Sequence, residues 1–193
     1  MNDRLKKQIN FLVEIDKMKN IYRQTLVLHE DRAENDAEHS WHLAMLVMIL
    51  SEYSNKPIDV LHVIKMVLIH DIVEIDAGDT YCYDVEANKS KAEREEKASQ
   101  RLFGLLPDDQ KQELYSLWRE FEEKSTPESK FANVVDRIQP ITLNYRKGGI
   151  SWINHGVKAN QVLERNAHVG EGSKELWEYV QDIVNDAIEK GML

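Results

Sequence analysis

The chain is 193 residues long, 42% apolar and 31% charged, with eight glycines and four prolines; this is the make-up of an ordinary globular domain and excludes collagen-like, linker-rich and extensively disordered chains. Twenty-five Lys and Arg against 34 Asp and Glu leave a net charge of -9, so a basic surface for a nucleic-acid polymer has no electrostatic support. The single cysteine, Cys82, excludes an intramolecular disulfide and a multi-thiolate zinc site, no stretch reaches the roughly 18 apolar residues of a membrane span, and the charged N-terminal segment lacks the apolar run of a secretory signal.

The expectation is a soluble, cytoplasmic protein organised as one domain over residues 1–193, without a membrane or nucleic-acid partner. Helical periodicity dominates and strand-like alternation is missing, so the expected fold class is all-α, a helical bundle. A first helix is predicted over Asp3 to Tyr22, with Ile9, Leu12 and Val13 as its apolar group. The polar segment from Thr25 to Asp36 reads as a loop. A second helix begins at Asn35, which Glu38 answers three residues later in a capping box, and runs to about Ser54.

Pro57 starts a third helix with Val60, Val63, Ile64, Val67 and Leu68 on one face, and Gly78 ends it. Asp79 to Asn88 reads as a surface loop, and a charged fourth helix spans Lys89 to Leu105. Pro107 and Asp108 open a fifth, with Leu114, Leu117, Trp118 and Phe121 inward. Thr126-Pro127-Glu128 starts a sixth, carrying Phe131, Val134, Val135 and Ile138 before Pro140, which should end or kink it. Gly148-Gly149 breaks the chain, a short helix follows over Asn154 to Asn166, and Leu176 to Ile188 marks a last amphipathic helix. Trp41 and Trp177 are assigned to the core, and the remaining histidines, His29, His42, His62, His155 and His168, receive no catalytic role.

The chemistry gathers on the third helix. A His-Asp neighbour is uninformative alone, but His70, Asp71 and Glu74 stand within one turn of each other, in line with the apolar stripe through Val67. Buried ionised groups cost several kcal/mol each unless paired or bound to a cation, so a metal ion is the economical partner. His39 lies on the i, i+3, i+4, i+7 face with His42, Leu43 and Leu46, and Asp136 is an acid embedded among Val134, Val135 and Ile138. Imidazole and carboxylate donors without thiolate suit a divalent transition ion with an open coordination position, hence hydrolysis.

The segments AEHSWHLA (37–44), HDIVEIDAGD (70–79) and NVVDRIQP (133–140), in that order, resemble the HD-domain metal-dependent phosphohydrolases, most closely their 5′-deoxynucleotidase-like branch; the stretch SWINHGVKANQVLERNA (151–167) extends the likeness over nearly the whole chain. The resemblance implies that His39, His70, Asp71 and Asp136 are the ligands of one divalent ion, among cobalt, manganese, zinc, nickel and iron. It implies Glu74 as the residue that positions or deprotonates the attacking water and Asp79 as a helper at water or leaving group. Arg23, sixteen residues before His39, is the match to the family's phosphate-binding arginine.

No histidine occurs between His70 and His155, which favours one metal over two. Arg23 is followed by Gln24-Thr25-Leu26, without the tryptophan that the deoxynucleotidases place after their arginine, so ribose and deoxyribose both stay open. The family also implies a homodimer. The expected activity is a phosphomonoesterase acting on a small phosphorylated metabolite such as a nucleoside 5′-monophosphate. The competing readings are a phosphodiesterase or polyphosphate hydrolase, and a regulatory protein that binds metal and nucleotide without turnover.

Overall fold

The computed structural model describes residues 2–79 and 89–193; nearly all of the expected 79–88 loop, and Cys82 with it, lies outside the described residues. Helix α1 (Asp3–Ile15) starts where the Asn2 side chain accepts the amide of Arg4. It is shorter than expected, because a 3-10 segment (Asp16–Asn20) follows and Tyr22 opens a strand. The helix also turns a different face inward: Phe11 is buried, whereas Ile9, Leu12 and Val13 are 44%, 57% and 68% exposed. An aromatic ring offers more apolar area than any of the three, and burying it decides the rotation of the helix.

Strands β1 (Tyr22–Leu26) and β2 (Ala33–Asn35) pair antiparallel, Tyr22 opposite Asn35 and Leu26 opposite Ala33, where a loop was expected. Such short, polar strands cannot display a period of two. The ribbon nevertheless matters, since it carries Arg23 and Glu34 to the interior. Its end passes directly into α2 (Asp36–Leu50) through the expected capping box: the amide of Glu38 donates to Asn35 Oδ1 at 3.0 Å, and the amide of Asn35 donates to Glu38 Oε2 at 3.1 Å. On α2 the residues Asp36, His39, Ser40, Leu43 and Val47 face inward. Trp41, two residues and roughly 200° on from His39, is therefore 65% exposed rather than a core residue; Trp177 does pack against the core.

Helix α3 (Val60–Ile69) is capped by Asp59, whose carboxylate accepts the amides of Leu61 and His62. Val63 and Val67 are buried as expected, but Leu68 is half-exposed. The helix tightens into a 3-10 segment at His70–Val73 and resumes as α4 (Glu74–Ala77), which Gly78 ends at φ +75°. Then come α5 (Lys91–Phe103), α6 (Asp108–Glu123) and α7 (Pro127–Arg146). Where one helix was expected there are two, α8 (Ile150–His155) and α9 (Ala159–Asn166), parted at Gly156 with φ +62°. The chain finishes with α10 (Val169–Gly172) and α11 (Lys174–Glu189).

Helix α7 packs against α2, α3, α6, α10 and α11. Phe131, Ala132, Val134, Val135 and Ile138 are all buried, and each large aliphatic or aromatic among them contributes about 1.5–3 kcal/mol of burial. A Cβ on Gly172 would fall 2.6 Å from Val134 Cγ2, so only glycine lets α10 approach so closely. Pro140 neither ends nor breaks α7. It forfeits the hydrogen bond to the carbonyl of Asp136, and burial of Ile138, Gln139, Ile141 and Leu143 on both sides holds the helix together. Among the described residues no helix is long and apolar enough to cross a membrane.

Candidate metal centre

Four segments deliver charged side chains to one buried place: the β ribbon, the first turns of α2, the 3-10 segment after α3, and the middle of α7. His39 is fully buried. Its Nδ1 lies 3.2 Å from Gln139 Oε1 and its Nε2 lies 3.2 Å from Asp136 Oδ1. Since an amide oxygen only accepts, Nδ1 carries the proton and donates, which leaves the Nε2 lone pair directed at the centre. His70 is arranged alike: its Nδ1 donates to the Val67 carbonyl at 2.9 Å. Its Nε2 is buried 3.1 Å from Asp71 Oδ1 and 3.7 Å from Asp136 Oδ1, in hydrogen-bond geometry with neither.

Donor atoms of His39, His70 and Asp136 lie within 4.8 Å of one another, and so do those of Asp36, Asp71 and Glu74. Asp71 joins the two groups, for its Oδ2 is 3.8 Å from His39 Nε2. The four expected ligands are thus brought together, and Glu74 sits beside them, buried, with Oε2 unpartnered. Asp79 lines the same cavity. Arg23 does too, but its Nη1 is engaged with Asp71 Oδ2 at 2.7 Å and lies 3.4 Å from Asp36 Oδ1.

The electrostatics follow from this crowding. Burial and the neighbouring Asp71, Asp36 and Asp79 hold the Glu74 carboxyl well above the usual range, and burial with Asp71 pushes Asp36 up to about 7. Burial would also raise Asp71 and Asp136, but the cations and imidazoles beside them prevail: His70 and Arg23 hold Asp71 low, and Arg137 with the two imidazoles holds Asp136 well below its ordinary value. Arg23, despite its burial, is kept firmly charged by Asp71, Glu74 and Asp136. Glu34, Asp36, Asp71, Glu74, Asp79 and Asp136 surround Arg23 and two imidazoles. Such an excess of buried acid, with an imidazole lone pair lacking a partner, is the chemistry that a divalent cation satisfies.

Sequence reasoning overlooked Gln139, Glu34 and Asp36. Gln139 is buried, accepts from His39, and donates through Nε2 to Glu34 Oε1. Its position three residues after Asp136, on the same helix face, was the available signal. Glu34 had none, because it depends on a strand too short to recognise.

The family model described as an HD domain matches residues 15–177. The chain belongs to the HD-domain family. Among solved structures, a protein described as a predicted metal-dependent phosphohydrolase from Magnetospirillum magnetotacticum MS-1 superposes with a TM-score of 0.94 at 46% identity, covering 100% of this chain and 99% of that one. The PH0347 protein of Pyrococcus horikoshii OT3, at 23% identity and a TM-score of 0.65 over 94% of this chain and 99% of that one, shares the fold. The 5′-deoxynucleotidase HDDC2 of Homo sapiens is 30% identical over 135 residues, 69% of this chain. The chain spans 64% of the length of that human relative. An all-α HD domain therefore accounts for the helical architecture.

Proposed function

We propose that this HD-domain protein is a metal-dependent phosphomonoesterase that releases phosphate from a nucleoside or deoxynucleoside 5′-monophosphate. The observation that carries the reading is the convergence of two pre-oriented Nε2 atoms on Asp136, with Asp71 and Glu74 alongside. The names of the relatives, a predicted phosphohydrolase and a 5′-deoxynucleotidase, support it. His39, His70, Asp71 and Asp136 would hold the divalent ion, which supplies a Lewis acid for a phosphoryl oxygen and acidifies water.

The protein's own residues do the rest. Arg23 has five donor protons and spends Nη1 on the acids, so its remaining edge is left to bind phosphate oxygens and orient the ester. Glu74, with Oε2 free in the cavity wall, positions the attacking water and takes its proton. Asp79 orients that water or protonates the leaving ribose oxygen. The roughly 370 Å³ cavity that these residues line accommodates a mononucleotide. The same reading includes a single domain over 1–193, a homodimeric assembly, a cytoplasmic setting, and an ion drawn from cobalt, manganese, zinc, nickel and iron.

The test is phosphate release from a panel of ribo- and deoxyribonucleoside 5′-monophosphates, with cyclic and polyphosphorylated nucleotides beside them, under each of those five ions. Turnover of a monophosphate that falls at least about 100-fold in Glu74→Ala is expected. No turnover above that variant on any phosphoester rules the reading out.

A further inference from the structure

The same cavity has a second, oppositely charged wall that the proposed hydrolysis does not use. Lys124, Arg137 and Arg165 line it; Arg137 follows Asp136, and Arg165 falls in the 151–167 stretch. Arg137 makes only a loose contact with the Asp136 carboxylate, 3.6 Å from Nη2 to Oδ2. The Nε atoms of both Arg137 and Arg165 are buried without a hydrogen-bond partner. Among the described residues neither Lys124 nor Arg165 has a carboxylate within salt-bridge distance.

The lysine is also held there at a backbone cost. It is the sole non-glycine residue with positive φ among the described residues, at +50°, in the left-handed position that ends α6. Glycine or asparagine ordinarily fills such a cap. A lysine at this point complements the helix dipole, but it also lines the cavity. Burial and then the proximity of Arg137, with Arg165 adding to it, lower its amino pKa, only partly offset by Glu122 and Asp136. Burial, Lys124 and Arg137 likewise depress His168 to about 4, so that imidazole adds no charge of its own at neutral pH.

We infer that Lys124, Arg137 and Arg165 form an anion subsite for a second phosphoryl group, so that beside the plain 5′-monophosphate the cavity takes, and holds more tightly, a nucleotide bearing one further phosphate, with the cleaved group at the acidic end and the second gripped at the basic end. Three cations against Glu122 and Asp136 leave one net positive charge. Such a wall favours an anion, and guanidinium forks match tetrahedral phosphate oxygens. The inference rests on the hydrolase reading for the identity of the cleaved group; its test reads binding, and so stands or falls apart from turnover.

The probes are adenosine analogues in which every phosphorus group is joined to the nucleoside through a C–P bond and resists hydrolysis: the 5′-phosphonate parent, the same compound with a 3′-phosphonate added, and the parent extended by a second, methylene-linked phosphonate at its 5′ end. Each is titrated calorimetrically into the full chain purified without chelator. At least one probe with two phosphonate groups should bind about tenfold or more tightly than the parent. Lys124→Met and Arg165→Met should erase that advantage and leave the parent's affinity within about twofold, while Lys124→Arg retains it. Equal affinities for all three probes, or an advantage that survives both methionine substitutions, overturns the subsite.

A second readout needs no variant. A dianion seated against these cations favours the His168 imidazolium, so the NMR titration of His168 should move upward with the tighter probe and stay in place with the parent. An unmoved His168 in both complexes counts equally against the proposal.

Discussion

Replacing Gln139 with leucine separates the orientation of His39, a proposed metal ligand, from the imidazole itself. The amide accepts from His39 Nδ1 at 3.2 Å and donates to Glu34, with the pair fully enclosed. Leucine fills similar space but leaves an imidazole N–H and a carboxylate oxygen buried without partners. Each orphaned group costs about 1–3 kcal/mol, so a loss of about 2–5 kcal/mol in folding stability is expected after the gain in apolar contact. The imidazole also loses what fixes its tautomer, and removal of such an outer hydrogen bond weakens metal affinity about 10–100-fold. Urea denaturation gives the first quantity, and titration of cobalt or manganese into the chelator-treated protein gives the second. Gln139→Glu keeps an acceptor for His39 while opposing Glu34, so it should retain more metal affinity than leucine at comparable instability. Stability within about 0.5 kcal/mol and an unchanged metal affinity in Gln139→Leu would refute the reasoning.

Two further outcomes follow from local features. His168 is held at about 4 in the folded protein by burial and the nearby cations, against about 6.5 in an unfolded chain. The unfolded state therefore binds the extra proton as pH falls from 6.5 to 4, and stability drops over that window by about 1–3 kcal/mol; His168→Gln should flatten this part of a urea-denaturation series, and identical slopes would remove the basis for it. Asn35→Ala deletes half of the capping box that launches α2, at a cost of about 0.5–2 kcal/mol in the same measurement, while conservative replacement by Asp should cost little.

The helices were legible because each carries its own start signal and stripe. Asn35 with Glu38, Thr126 with Pro127, and the apolar spacing around Val63 and Val67 depend on residues a few positions apart, and the structure places helices there. What failed were judgements that depend on distant partners. Which face of α1 turns inward is set by what Phe11 finds to pack on, not by the count of aliphatics around Ile9, Leu12 and Val13. Pro140 obeys the same logic, since the burial of its flanking residues outweighs one lost backbone bond. The β ribbon places Arg23 and Glu34 beside α2, and strands of five and three residues are too short to show in the sequence the alternation that would reveal them.

The expected ligands could be named because His39, His70, Asp71 and Asp136 stand in recognisable local settings; their geometry depends on residues that do not. Gln139 and the Val67 carbonyl hold both imidazoles with Nε2 inward, so the tautomers are fixed by the protein before any ion arrives. Arg23 serves the same end by another route. Its Nη1 contact with Asp71, and its nearness to Asp36, hold mutually repelling acids together that would otherwise push apart or take up protons. A lysine could supply the charge but not the further N–H donors that still face the cavity once Nη1 is engaged with the acids. The arginine assigned to the substrate by resemblance is thus equally a part of the frame, and a loss of activity on its removal would report on both roles at once.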